Sequence, residues 1–154
     1  MTVAVVETRE DDPRVVTLRQ QMAAEMDALY GRPRHAVPAE GIDPASVLVT
    51  VLVVDGGVPV ATAALRRLGD DVEVKRMFVV PEARGRGIAG ALLEAVEVQA
   101  EAEGARRVLL HTGERQTAAL TLYRRRGYLD VPVFDPYLDV PESVCLAKDL
   151  AAIG

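Results

Sequence analysis

The sequence predicts an α/β fold with a mixed, mostly antiparallel sheet of about six to seven strands and flanking helices. Apolar segments joined by glycine turns over residues 47–80 indicate consecutive antiparallel strands. Longer segments with apolar residues at helical spacing indicate helices before, between and after these strands. One strand–helix–strand unit, from Val79 to Val108, has the length of a crossover and therefore predicts a parallel strand pair.

Length and composition limit the classes of protein to consider. The 154 residues suffice for one hydrophobic core, so we expect residues 1–154 to form one domain. The net charge of -5 disfavours broad binding to nucleic acid or to anionic membranes. Apolar runs are strand-sized and no secretory signal is visible. The single cysteine, Cys145, excludes an intrachain disulfide and a cysteine zinc cluster, and together these features predict a cytoplasmic protein.

The first elements are a strand and a helix with clear end signals. The strand lies near Val3–Thr8. Asp12 and Pro13 favour the N-cap and first turn of a helix, and Gly31 is suited to end it. The proline-rich segment Arg32–Pro44 is expected to form a loop or an irregular short helix.

Two hairpins follow this loop. Val47–Val54 and Val58–Leu68 flank the turn residues DGG, and Gly69 begins a second turn into the strand Val72–Val80. Met77–Val80 is apolar throughout, as expected where a strand is buried on both faces.

The second half alternates between helices and strands. A helix follows the glycine-rich stretch and runs to about Glu103, and a short helix later ends at Gly127. Further elements are expected at Arg107–His111 (strand), Thr117–Arg126 (helix), Tyr128–Val133 (strand) and Ser143–Lys148 (strand).

A glycine-rich stretch lies between the strand Val72–Val80 and the helix that follows it. Gly85, Gly87 and Gly90 fit G-x-G-x-x-G, the pattern of dinucleotide-binding folds. Those folds require several strand–helix–strand units and an acidic residue about twenty positions further on, and the sequence offers neither. We therefore expect the match to a nicotinamide site to be accidental.

The same residues favour an anionic ligand of another kind. Gly85 and Gly87 allow backbone N–H groups to approach phosphate oxygens at the start of a helix, and Arg84 and Arg86 can add charge-assisted hydrogen bonds. The basic run Arg124–Arg126 is interpreted differently, because cations near a helix C-terminus are favoured without any ligand.

Two motifs in the second half of the chain resemble motifs of the GNAT superfamily of acetyl-CoA-dependent N-acetyltransferases. Arg84-x-x-Gly87-x-Ala89 matches the pyrophosphate motif of that family. The stretch LYRRRGY, which contains Tyr123, matches its second motif, Leu-Tyr followed by Gly-Tyr or Gly-Phe. The likeness is strong over the last half of the chain, whereas the first half agrees in the order of its elements.

The resemblance implies a GNAT-like fold and a function. The strand ending at Val80 should splay from the strand at Val108, with the pantetheine arm of acetyl-CoA between them. The chain should then move an acetyl group from acetyl-CoA to a primary amine of a small molecule or peptide by direct attack. The residues implied in cofactor binding are Phe78, Val79, Val80, Arg84, Gly85, Arg86, Gly87, Ile88, Ala89 and Gln116, the last standing where many members have asparagine.

Two residues are catalytic candidates under this resemblance. Tyr123 would protonate the departing CoA thiolate, and its alternative is a packed aromatic residue. Glu73 resembles in position the carboxylate that some members use as a base. Its alternative is a strand glutamate paired with Arg66 or Arg67 across the hairpin.

The resemblance points less specifically to the residues that contact the acceptor amine. Tyr30, His111, Asp135 and Tyr137 fall in segments that line this side in the family, with ordinary surface or packing roles as the alternatives. No spacing suggests a metal site. A homodimer is common among such proteins. A non-catalytic acyl-CoA-binding sensor or regulatory module is the rival interpretation, because binding motifs alone do not demonstrate turnover.

Overall fold

The computed structural model describes residues 2–31 and 43–150, in which seven strands form one mixed sheet. The order of strands across the sheet is β1-β2-β3-β4-β5-β7-β6. The elements are β1 (Val3–Thr8), α1 (Pro13–Tyr30), β2 (Val47–Asp55), β3 (Val58–Leu68), β4 (Asp71–Val79), α2 (Ile88–Ala102), β5 (Arg107–Gly113), α3 (Thr117–Arg125), β6 (Leu129–Val131) and β7 (Ser143–Asp149). The predicted fold class is confirmed.

Helix α1 has the end signals that the sequence predicts. The Asp12 side chain accepts a hydrogen bond from the Arg14 N–H at 2.9 Å, and Pro13 occupies the first turn. Gly31 ends the helix in the left-handed conformation, with φ 68°. The predicted loop falls mostly outside the described residues, apart from Asp43 and the 3-10 turn Pro44–Ser46 that leads into β2.

The hairpin between β2 and β3 closes through two glycines. Gly56 and Gly57 have φ values of 57° and 87°, as the tight two-residue turn requires at both positions. Val58 pairs with Asp55 next to the turn. The antiparallel meander predicted for β2, β3 and β4 is thereby confirmed.

Helix α2 supplies the largest apolar contribution from a helix to the core. Leu92, Leu93 and Val96 are fully buried, and the helix packs against β1 to β4. Val98 on the same helix faces solvent. In residues 2–31 and 43–150, no helix has the length and apolar character needed to cross a membrane.

Strand β6 is shorter than the predicted strand Tyr128–Val133. The Tyr128 N–H donates to the Tyr123 carbonyl at 3.0 Å and so closes α3 instead of joining the sheet. At the other end, Pro132 lacks the N–H that a further ladder bond needs. Only Leu129–Val131 remains to pair with β7.

Strands β4 and β5 are parallel over a short stretch and then separate. Val72 pairs with Val108 and Val74 with Leu110, after which no pairing connects the two strands. Between the pairs Ala64↔Lys75 and Thr62↔Phe78, β3 advances by two residues and β4 by three. This extra residue is a β-bulge, and Arg76 within it has φ 54°.

Candidate active site

The separation of β4 from β5 exposes the main chain of β4 at one edge. The Val80 N–H donates to the Val60 carbonyl of β3 at 2.9 Å. Because main-chain groups alternate in direction along a strand, the N–H and C=O of Val79 point away from β3, into the space that β5 has left. The Val79 carbonyl there accepts a hydrogen bond from Arg84 Nε at 3.0 Å.

The glycine-rich loop after β4 forms an open cradle at the start of α2. Gly85 and Gly87 have φ values of 79° and 77°, and no atom lies within 4 Å of the position of a Cβ at either residue. Gly87 is the N-cap and provides no side-chain acceptor, so the first N–H groups of α2 keep their hydrogen-bonding capacity. This donor set suits a phosphate or pyrophosphate group.

A cleft of about 520 Å³ joins the exposed edge of β4, the glycine loop, α1 and α3. The sequence-predicted residues that line it are Phe78, Val79, Arg84, Gly85, Gly87, Ile88, Ala89, Gln116 and Tyr123. The structure thus brings the two sequence motifs to one cavity.

Tyr123 is the candidate acid, and it is almost completely buried, with 6% of its surface exposed. Its ring packs edge-on against Tyr128, with 6.1 Å between the ring centroids. Burial raises the pKa of Tyr123 to about 12. The hydroxyl group therefore carries its proton at neutral pH, which a proton donor must do.

Glu73, the candidate base, lies on β4 before the strands separate. It is fully buried and does not line the cleft. Its Oε1 accepts a hydrogen bond from Arg66 Nε at 2.8 Å, and Lys75 Nζ lies 3.9 Å from its Oε2. The cross-strand pairing with Arg66, one of the two alternatives for this residue, is present, whereas Arg67 pairs with Glu103 at 3.5 Å.

The model of the acetyltransferase (GNAT) family matches residues 9–128, which is more than half of the chain. The chain belongs to this family.

Individual relatives agree with this assignment. An IAA acetyltransferase of Azospirillum brasilense is 46% identical over 78 residues, and this match spans 51% of the chain and 51% of that protein. The chain therefore matches about half the length of this curated relative.

Solved structures resemble the GNAT domain over nearly all of its length. One is a proposed acyl-CoA N-acyltransferase from Klebsiella pneumoniae, with a TM-score of 0.82 and 25% identity over 97% of this chain and 98% of that one. Another is a GNAT family acetyltransferase from Elizabethkingia anophelis with acetyl-CoA bound, with a TM-score of 0.70 and 17% identity over 96% and 98%. The second likeness shows the fold alone.

Two predicted cofactor residues of the GNAT domain lie outside the lining of the cleft. Arg86 turns away from it and donates to Asp55 at 2.7 Å, at the end of β2. Val80 is buried, and its N–H is engaged by β3. Neither side chain lines the cleft in this arrangement, and the cofactor contacts of these two residues stay a prediction.

The predicted acceptor residues of the GNAT domain also lie outside the cleft lining. Tyr137 is buried, and its hydroxyl accepts hydrogen bonds from Lys75 Nζ at 2.6 Å and from Arg66 at 3.3 Å. Its ring stacks on His111 with centroids 3.7 Å apart, and His111 Nε2 lies 2.9 Å from Ser143 Oγ. Burial and the nearby Glu73 carboxylate raise the pKa of Tyr137.

The other two predicted acceptor residues have different surroundings. Tyr30 is buried, and the Arg115 guanidinium lies 5.4 Å from the centre of its ring. Since Arg115 lines the cleft, Tyr30 is one contact away from it. Asp135 is exposed.

The sequence analysis did not predict that apolar residues of α1 line the cleft. Met22, Met26 and Leu29 line it, and Glu25 binds Arg84 at 2.7 Å. These apolar residues recur at helical spacing, which indicates a buried helix face but does not say whether a core or a cavity faces it. Arg126 from the basic run also lines the cleft, although the run was interpreted as a helix-end feature.

The ion pair of Glu73 predicts a structural effect. Glu73→Gln removes the partner of the buried Arg66 guanidinium and should lower the free energy of unfolding by about 3–5 kcal/mol. Urea denaturation of both proteins measures this. Asp130→Asn, which breaks the exposed pair with Arg124, should change stability little. Equal urea midpoints for Glu73→Gln and wild type would show that the pair is not structural.

Proposed function

We propose that this GNAT protein transfers an acetyl group from acetyl-CoA to the primary amine of a small molecule or peptide by direct attack. The observation that supports this best is that one cleft joins the exposed edge of β4, the glycine loop and Tyr123. We further propose that the whole chain forms one such domain.

The residues that line the cleft offer groups that suit acetyl-CoA. The N–H and C=O of Val79 offer the pairing that an extended pantetheine arm requires. The first N–H groups of α2, next to Gly87, offer donors to its pyrophosphate. Apolar side chains such as Met22 and Leu122 line the space between. When bound, acetyl-CoA supplies an acetyl group activated as a thioester.

Arg84 has a second role in this proposal. Its side chain binds the Val79 carbonyl and Glu25 together, so it connects the glycine loop to α1 across the cleft. A pantetheine amide that pairs with Val79 approaches the carbonyl that Arg84 Nε already contacts, and we propose that it displaces Arg84 from there. We therefore assign the cofactor contact of Arg84 to its backbone, with the side chain moving on binding.

The acceptor amine must lose a proton before it attacks. A lysine-like amine with a pKa near ~10.4 is neutral in only about one molecule in a thousand at neutral pH, a deficit of roughly 4 kcal/mol. Glu73 does not line the cleft and its carboxylate accepts a hydrogen bond from Arg66, which argues against direct contact with the amine. We propose that the proton leaves through water, and that Glu73 acts on it only indirectly.

The departing thiolate needs a proton, and we assign Tyr123 to supply it. The residue lies in the cleft lining, and its raised pKa keeps the hydroxyl protonated. The same burial makes the tyrosinate costly, so the proton must be replaced from solvent in each turnover.

We also propose, from the sequence, that the acceptor is an amine, that the protein is cytoplasmic and that it forms a homodimer. The direct test is release of the CoA thiol from acetyl-CoA with polyamines, aminoglycosides, amino acids, short peptides and IAA as acceptors. IAA is included because of the name of the Azospirillum relative. Release with one chemical class and none without acceptor would support the enzyme. A folded protein that binds acetyl-CoA and turns over no acceptor would favour the sensor module.

The assignment of Tyr123 as proton donor predicts an effect on kcat. Tyr123→Phe removes the hydroxyl but keeps the ring packing, so kcat should fall about 100-fold or more while the Kd for acetyl-CoA stays the same. Steady-state kinetics and calorimetry measure the two quantities. Unchanged kcat, or a parallel loss of acetyl-CoA binding, would contradict the role of proton donor.

The raised pKa of Tyr123 makes a prediction for the pH profile. An ordinary tyrosine loses its proton near pH ~10, but Tyr123 should keep its proton to about pH 12. We expect kcat/KM to rise from about pH 6 to about pH 10 as the acceptor amine deprotonates, without a descending limb from the enzyme. A descending limb in this range that disappears in Tyr123→Phe would show that the pKa of Tyr123 is not raised.

A further inference from the structure

Arg126 is placed differently from the other arginines of its run. It follows α3, yet its guanidinium lies against the first turn of α2: a Cβ at Gly90 would be 2.1 Å from Arg126 Nη2. Arg126 also lines the cleft. By contrast, Arg124 points to Asp130 on the exposed surface, at 2.8 Å. Only glycine at position 90 leaves room for the guanidinium in this position.

The location is electrostatically unfavourable for a cation without an anionic partner. The N-terminal end of a helix carries a partial positive charge, which repels a guanidinium. The one ion pair that holds Arg126 among the described residues is with Glu94, at 2.8 Å, and the Glu94 side chain is 67% exposed. Such a solvent-exposed pair contributes little stability. The arrangement becomes favourable when an anion lies between the guanidinium and the helix terminus.

We propose that Arg126 binds a phosphate of the CoA pyrophosphate, with Glu94 orienting its guanidinium and Gly90 making room for it. This inference rests on the proposed function, because it uses the same cleft. The glycine loop and α2 present backbone N–H groups, which are neutral donors. Arg126 would add the charge and the paired N–H groups that suit phosphate oxygens.

The test compares ligands with and without phosphate. Calorimetry with CoA should show a Kd about 10- to 100-fold weaker for Arg126→Ala than for wild type, as expected for one charge-assisted hydrogen-bonding group. Pantetheine, which lacks the pyrophosphate, should bind both proteins equally at millimolar concentration. Arg124→Ala removes a neighbouring charge of the same run outside the cleft and should bind CoA like wild type.

A second variant acts on the same contact without removing the arginine. Gly90→Ala introduces a methyl group where the guanidinium lies, and the flexible end of Arg126 can shift away while α2 is retained. Its CoA affinity should fall in the same direction as that of Arg126→Ala, again without loss of pantetheine binding.

The possible outcomes separate this inference from the proposed function. If wild type fails to bind CoA, the proposed function is wrong. If wild type binds CoA and Arg126→Ala binds it equally well, the inference about Arg126 is wrong and the proposed function stands. Equal weakening of CoA and pantetheine, or an equal effect of Arg124→Ala, would also overturn the phosphate contact.

Discussion

The cleft depends on the separation of β4 from β5, two strands that are neighbours in the sheet. β4 stays paired with β3 as far as Val79 and β5 with β7 as far as Gly113, whereas the pairing between β4 and β5 ends at Val74 and Leu110. The bulge at Arg76 changes the course of β4 at this point. An unpaired inner strand edge results, and its N–H and C=O groups require a partner. A ligand with amide groups can provide that partner.

A buried polar cluster surrounds β4 near the point where it separates from β5. Glu73 and Lys75 from β4, Arg66 from β3 and Tyr137 from the segment before β7 hold one another through hydrogen bonds. Removing one member leaves a buried charge without its partner, which costs more than the pair contributes. The cluster therefore fastens the segment before β7 to the sheet, and this structural role accounts for the burial of Glu73 without invoking catalysis.

The sequence predicted what local chemistry determines. Asp12, Gly31, Gly56 and Gly57 act within a few residues of their own position, so the ends of α1 and the first hairpin followed from propensity. The motif positions at the glycine loop and Tyr123 likewise follow from their neighbours in sequence. The fold class was correct for this reason, and the family was correct because the two motifs resemble those of GNAT proteins.

The directions of long side chains could not be predicted in the same way. Arg86 turns to Asp55 and Arg126 to Gly90 because distant segments lie there in the folded chain. Nothing adjacent in sequence distinguishes Arg126, which lines the cleft, from Arg124, which does not. The surroundings of Glu73 similarly depend on two other segments, β3 with Arg66 and the segment before β7 with Tyr137.

The measurement that tests the cleft most directly is amide hydrogen exchange with and without acetyl-CoA, followed by mass spectrometry. We expect slower exchange in peptides that cover residues 79–90, where β4 is unpaired and α2 begins, and unchanged exchange in β1 at the far edge of the sheet. Protection elsewhere, or none at saturating acetyl-CoA, would contradict the assignment of this cleft to the cofactor.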